Sequence, residues 1–223
     1  MAATGSTTAE KLGAAAGAWA AFYLALHYYI LSGASADLSM PAADYARTLL
    51  GERMRWESAT ALRIMAGIMI VWFMGSMSGR LRLAEREPGR LAAIAFGLGV
   101  VWGGVWILSA MFNSVAILMS AEYGDPVAAR FAGILAKETP MILTPPVAFA
   151  LILAAAFATM RYGGYSKLYA NITAGLSLIV IILAVVEWYG PGNLGTIIMT
   201  VALGWLAITS LLTIQPPTAA EAR

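Results

Sequence analysis

The sequence predicts an all-α fold: a polytopic transmembrane bundle of six helices, with short amphipathic helices in the outer loops. Three observations predict it. First, 60% of the residues are hydrophobic and only 12% are charged, against about 45–50% and about 25% in a soluble domain. With a mean hydropathy of +0.75, the chain lacks the polar residues to cover its own apolar surface, so lipid is part of its solvent. Second, the apolar residues fall into six runs, each long enough for a span of about 20 residues. Third, these runs are continuous rather than alternating, which only helices tolerate in lipid, because a helix satisfies its backbone groups within itself.

The first span is expected at 13–33, behind a tail at 1–12. That tail lacks the basic start of a signal peptide, so the first run reads as a retained span; Ala34-Ser35-Ala36 comes close to a cleavage site, and a cleaved signal is the alternative. The second span is expected at 58–79, ending before Arg80-Leu81-Arg82, and the third at 91–120. The fourth, at 139–160, carries Pro140, Pro145 and Pro146 in its first turns, where the amide donors have no internal partner to lose. The fifth is placed at 168–188. The sixth, at 193–214, follows Gly190-Pro191-Gly192 and ends before Pro216-Pro217, leaving a tail at 216–223. Six spans use more than half of 223 residues, so one domain (13–215) is expected. In the long loops, Asp125-Pro126 reads as an N-cap and first-turn proline, opening a short amphipathic helix with Val127, Phe131, Ile134 and Leu135 on one side. Ala42 to Trp56 offers another, with Tyr45, Leu49 and Leu50 as its apolar side.

The second loop holds Arg80, Arg82, Arg86 and Arg90, and the fourth Arg161 and Lys167; the fifth has no Lys or Arg. By the positive-inside bias this places both termini in the cytoplasm of a plasma (inner) membrane and the two long loops outside. A net charge of +2 gives no footprint for nucleic acid. Cysteine is absent, which removes disulfides, thiolate metal sites and cysteine nucleophiles. No Walker loop, His-Glu-x-x-His or serine-nucleophile pattern is present, so the chain leans away from an enzyme.

Ionisable groups at membrane depth are costly and ask for a partner or a task. His27 sits near the outer end of span one, Arg63 near that of span two and Asn113 near that of span three; Glu138 stands at the entrance of span four and Glu187 at the end of span five. These five are the candidate ligand-binding or proton-handling residues. Two readings stand. In one they converge in an outward-facing chamber, where Arg63 pairs with Glu138 or Glu187 and His27 titrates beside them. In the other, Arg63 and the carboxylates snorkel to water. A lone histidine makes neither a bis-histidine haem site nor a zinc site. Met65 and Met69 share a helix face that suits Cu(I), but methionine is also an ordinary gap-filler. No metal or cofactor is therefore expected. The charged run Gly51 to Glu57 fits a lid, a docking surface or a solvated face with local ion pairs. Gly99 and Gly103 permit close helix packing, inside the bundle first and between copies second.

The long loop after span one, the opening Ser58-Ala59-Thr60-Ala61-Leu62-Arg63, the Arg-rich turn Arg80 to Arg90, the segment Glu122-Tyr123-Gly124-Asp125 and Gly204-Trp205-Leu206 in the last span follow one another in order. In these features the chain resembles a family of uncharacterised bacterial six-helix membrane proteins, domain of unknown function 4386. The resemblance implies a fold and a membrane location, and no activity. The functional expectation is a binding or accessory subunit of a membrane complex, or a holder of a lipid-like or small ligand in an outward-facing, polar-tipped cavity. A small transporter or channel is the alternative, and an enzyme acting on a lipid-soluble substrate the second. The partners implied are membrane lipids and either a membrane protein or further copies of the chain.

Overall fold

The computed structural model describes residues 8–85, 88–189 and 194–214, without the side chains of residues 9, 187–189 and 196. Seven helices follow in order: α1 Thr8–Leu31, α2 Ala42–Gly51, α3 Arg53–Glu85, α4 Arg90–Ala121, α5 Pro126–Tyr162, α6 Lys167–Tyr189 and α7 Gly195–Ile214. All but α2 are long and apolar enough to cross a membrane. The chain is a multi-pass membrane protein with an all-helical bundle. The six long helices pack in chain order as a closed circuit, with α7 returning to α1; α3, α5 and α7 also touch one another. Because the helices alternate in direction, α1 begins and α7 ends at one end, here the terminal end, and α2 lies at the other.

Local sequence explains the main boundaries. The Asp125 carboxylate accepts from the Val127 and Ala128 amides at 3.1 and 3.0 Å, capping α5, and Pro126 fills the first turn. The segment 126–138 is helical and half-polar as expected, but it is not a separate element. It runs on through Pro140, Pro145 and Pro146 as one helix of 37 residues. A proline removes the donor to the carbonyl four residues back, and bundle contacts on both sides keep α5 continuous. In the first long loop, α2 stops at Gly51 and α3 begins at Arg53. The charged run therefore forms the first turns of a span, with ion pairs Arg53–Glu57 at 2.6 Å and Arg55–Glu52 at 3.5 Å. Glu52 also accepts the Ser35 amide with both oxygens, and Arg55 donates to the Gly33 carbonyl, so this turn clasps the chain leaving α1.

The core draws on all six long helices, with Leu24, Phe73, Met74, Met77, Trp102, Trp106, Leu151 and Trp205 almost fully buried. Small residues set the spacing. A Cβ on Gly67 would lie 2.6 Å from the Gly103 carbonyl oxygen, and one on Gly103 would lie 2.6 Å from that of Gly67. Backbones this close leave no room for any other residue at either position. Gly99 faces Met74, so the Gly99/Gly103 pair packs within the bundle and against α3. Met74 and Met77 fill core space, Met69 packs on the core edge, and Met65 is 38% exposed. At the α2 end, Tyr45 and Leu49 bury against Ala116, Ile117 and Ala132, which seats α2 over α4 and α5. Arg130 donates to the Leu38 carbonyl at 2.9 Å and ties the preceding loop to α5.

Candidate functional site

The Gly67–Gly103 contact draws α3 and α4 together one turn from Arg63, and this close approach builds the site. Arg63 is buried and its guanidinium points into the bundle. Its Nε donates to His27 Nε2 on α1 at 3.0 Å. Its Nη1 donates to Ser109 Oγ on α4 at 2.7 Å and, more weakly, to the Ala136 carbonyl on α5 at 3.4 Å. Ser109 Oγ in turn donates to Ala136 O at 2.6 Å. One guanidinium thus bonds to three neighbouring helices, which is not the geometry of a side chain snorkelling to water.

Why Ala136 O accepts from two foreign donors follows from the sequence. In a helix it would receive the N–H of residue 140, and residue 140 is proline. Pro140 leaves a buried carbonyl without its helical donor, and an orphan carbonyl in lipid is costly. Ser109 and Arg63 supply the missing bonds.

His27 is 1% exposed, and both its ring nitrogens are engaged. Nε2 accepts from the arginine, which leaves the proton on Nδ1, where it is donated to the Ala59 carbonyl at 3.1 Å. The ring is thereby locked in one neutral tautomer and acts as an acceptor for a cation. It does not touch Ser109, so no serine–histidine nucleophile pair exists here.

A second layer lies one turn nearer the α2 end. Asn113 Nδ2 donates to Thr60 Oγ1 at 2.5 Å and to the Trp56 carbonyl at 3.4 Å, and Thr60 donates to that carbonyl at 2.8 Å. Thr60 precedes Arg63 by one turn of α3, and Asn113 follows Ser109 by one turn of α4, so the two layers stack on the same helix pair.

Of the five residues expected to meet, His27 and Arg63 bond directly, and Asn113 sits in the adjoining layer. The carboxylates do not complete the cluster as expected. Glu138 is half-buried on α5 and makes no ion pair among the described residues; two residues from Ala136, it is turned about 200° around the helix from the acceptor. Glu187 lies in α6, which packs on α5 and α7 and not on α3, and its side chain is outside the described residues. Among the described residues no acid lies within ion-pairing distance of Arg63. The cation is held by neutral acceptors. Sequence reasoning missed Ser109, Thr60 and the Ala136 carbonyl. Ser109 lies one turn from Asn113 on the same face, a signal the spacing carried; the freed carbonyl was implicit in Pro140.

Beside the stacked layers, on the surface between α3 and α4, lies a groove of about 290 Å³. Arg53, Glu57, Ile117, Leu118 and Glu122 line the half nearest α2, and Thr60, Ala61, Ile64 and Ser114 line the rest. Thr60 belongs to both groove and network. Charge is confined to the half nearest α2, where Ile117 and Leu118 lie beside it, and past Thr60 the lining ends on Ala61 and Ile64.

Family models, curated proteins and solved structures were all compared with the chain, and none matches it.

Proposed function

We propose that this chain is a plasma-membrane protein that holds a lipid-like amphiphile in the α3–α4 groove and serves as a binding or accessory component of a larger membrane assembly. One observation carries the reading: the charged residues of the groove stand in the half nearest α2, and past Thr60 it ends on Ala61 and Ile64, a profile that suits an amphiphile lying along the helices. The polar layers behind it support holding rather than turnover. Arg63, His27, Ser109, Thr60 and Asn113 bond to one another and to backbone, which makes a rigid wall and supplies neither a nucleophile with its base nor a paired acid and base.

Transport, the alternative reading, has less support. The polar groups near the terminal end, such as Tyr169 with Thr209 at 2.8 Å and Tyr165 with Thr213 at 2.7 Å, are separated from the Arg63 layer by the packed core of Phe73, Trp102 and Leu151. The proposal includes the orientation that the basic loops imply, with termini in the cytoplasm and α2 outside, and kinship with the uncharacterised six-helix family.

Native mass spectrometry of the protein released from mild detergent tests the central claim. A lipid-sized adduct is expected on the natural chain and not on Ala61→Trp, whose indole fills the groove from an exposed position. Equal adducts on both would sink the groove as the binding site. The cysteine-free sequence makes orientation a clean measurement: a single Ala128→Cys in intact cells is expected to react with a membrane-impermeant maleimide. Labelling only after lysis would reverse the topology.

A further inference from the structure

We infer that the groove selects a phospholipid whose head group joins a phosphate to a primary ammonium. This rests on the groove being a lipid site and names what that site prefers. From Arg53 to Ile64 the groove spans twelve residues of α3, about 16 Å along the helix. Every charged residue lines the half nearest α2, so an occupant sets its head beside Arg53, Glu57 and Glu122, with Ile117 and Leu118 flanking the head and the chain running on toward Ala61 and Ile64.

The three charges sort the head groups. Arg53 uses its Nε on Glu57 Oε1 at 2.6 Å, and among the described residues neither terminal NH₂ group makes a hydrogen bond; the side chain is 54% exposed. A guanidinium with free terminal donors takes a phosphate in bidentate fashion. Glu122 is exposed, lies outside the ion pairs among the described residues and follows directly on the last residue of α4. A carboxylate at a helix C-terminus faces the negative end of the helix dipole and is stabilised by an added cation. One cation against two carboxylates leaves that half of the groove at a net charge of −1.

A purely anionic head satisfies Arg53 but is repelled by that balance. An ammonium satisfies Glu122 but leaves the arginine donors open. A head carrying phosphate and ammonium together meets both. A primary ammonium does so better than a quaternary one, because it brings N–H donors to the carboxylate. A serine head adds a carboxylate beside Glu57 and Glu122 and is disfavoured. The predicted order is therefore phosphatidylethanolamine, then phosphatidylcholine, then phosphatidylglycerol and phosphatidylserine.

The test reconstitutes the full chain in vesicles holding equal amounts of phosphatidylethanolamine and phosphatidylglycerol with identical chains, then reads retained lipid by native mass spectrometry. The natural chain is expected to retain the ethanolamine lipid about fivefold over the glycerol lipid, the range of one half-exposed ion pair. Glu122→Gln is expected to bring the ratio close to one with occupancy kept, and Glu122→Lys to reverse it. Ala61→Trp is expected to lose both lipids. Equal or preferred retention of the glycerol lipid, or a ratio unmoved in Glu122→Gln and Glu122→Lys, overturns the head-group assignment while the groove reading stands. Lipid retained by Ala61→Trp overturns both. A natural chain that dimerises without bound lipid, with Ala61→Trp monomeric, makes a second copy the occupant and overturns both as well.

Discussion

Ser109 offers the sharpest test of how the buried arginine is held, because its hydroxyl both accepts from Arg63 at 2.7 Å and donates to Ala136 O at 2.6 Å. Ser109→Ala removes both bonds with almost no change in volume. A hydrogen bond to a charged group contributes about 1.5–3 kcal/mol and a neutral one about 0.5–1.5 kcal/mol. Polar contacts measured between membrane helices are weaker, averaging about 0.6 kcal/mol. A loss of about 2 kcal/mol is expected, with roughly half coming from each bond. The role assigned to Pro140 adds a second condition. In Pro140→Ala the restored amide donates to Ala136 O, so the carbonyl no longer needs Ser109. In that background Ser109→Ala should cost only about 1 kcal/mol, a coupling of about 1 kcal/mol in the double-mutant cycle. Reversible unfolding of the four proteins in bicelles measures it. A Ser109→Ala cost that is the same in both backgrounds, within about 0.5 kcal/mol, would refute the claim that proline creates the acceptor.

Three further outcomes follow from packing and charge. Gly67→Ala and Gly103→Ala each drive a methyl into a backbone carbonyl 2.6 Å away and are expected to cost about 1–3 kcal/mol by the same unfolding assay, whereas Gly97→Ala, with nothing within 4 Å, should change stability by less than about 0.5 kcal/mol. Parity among the three would show that α3 and α4 do not meet at these glycines. Gly133→Ala drives its methyl into the Tyr45 hydroxyl, so α2 should lift and trypsin should cut after Arg47 faster than in the natural chain; an unchanged cutting rate would mean α2 is not seated there. Burial raises the Tyr45 phenol above its ordinary value of 10.0, an effect that outweighs the opposing pull of the nearby Arg63. A group raised in the folded state contributes stability that is complete below its unfolded value and is lost as pH climbs through the folded one. The seating of α2 should therefore weaken above about pH 10, seen as faster amide exchange in 42–51, and Tyr45→Phe should abolish that dependence.

The fold was largely legible because its signals are local: run length, hydropathy, the Asp125 cap and the Pro and Gly boundaries. The site was legible by position and not by partnership. His27, Arg63 and Asn113 stood out because charge and amide are rare in apolar runs, and the depth of each followed from counting residues. Which groups touch depends on how helices rotate and slide against one another, and one helix's periodicity does not contain that. Glu138 was expected beside Arg63 on grounds of depth, and its turn about α5 placed it elsewhere. Ser109 drew no notice because serine is common in spans. The α2–α3 break at Glu52 likewise depends on the clasp to Ser35 and Gly33, a tertiary contact.

The acceptor made by Pro140 has a consequence for how such a site is inherited. The oxygen that Arg63 and Ser109 share belongs to the main chain, so the side chain at 136 is irrelevant to it beyond being small enough to fit. Any small, helix-compatible residue there would present the same carbonyl. A pattern search keyed to polar side chains would pass over this half of the site in a related chain. The recognisable signature is an arginine on one helix, a serine on the next, and a proline on the third, four places after a position whose identity carries no information.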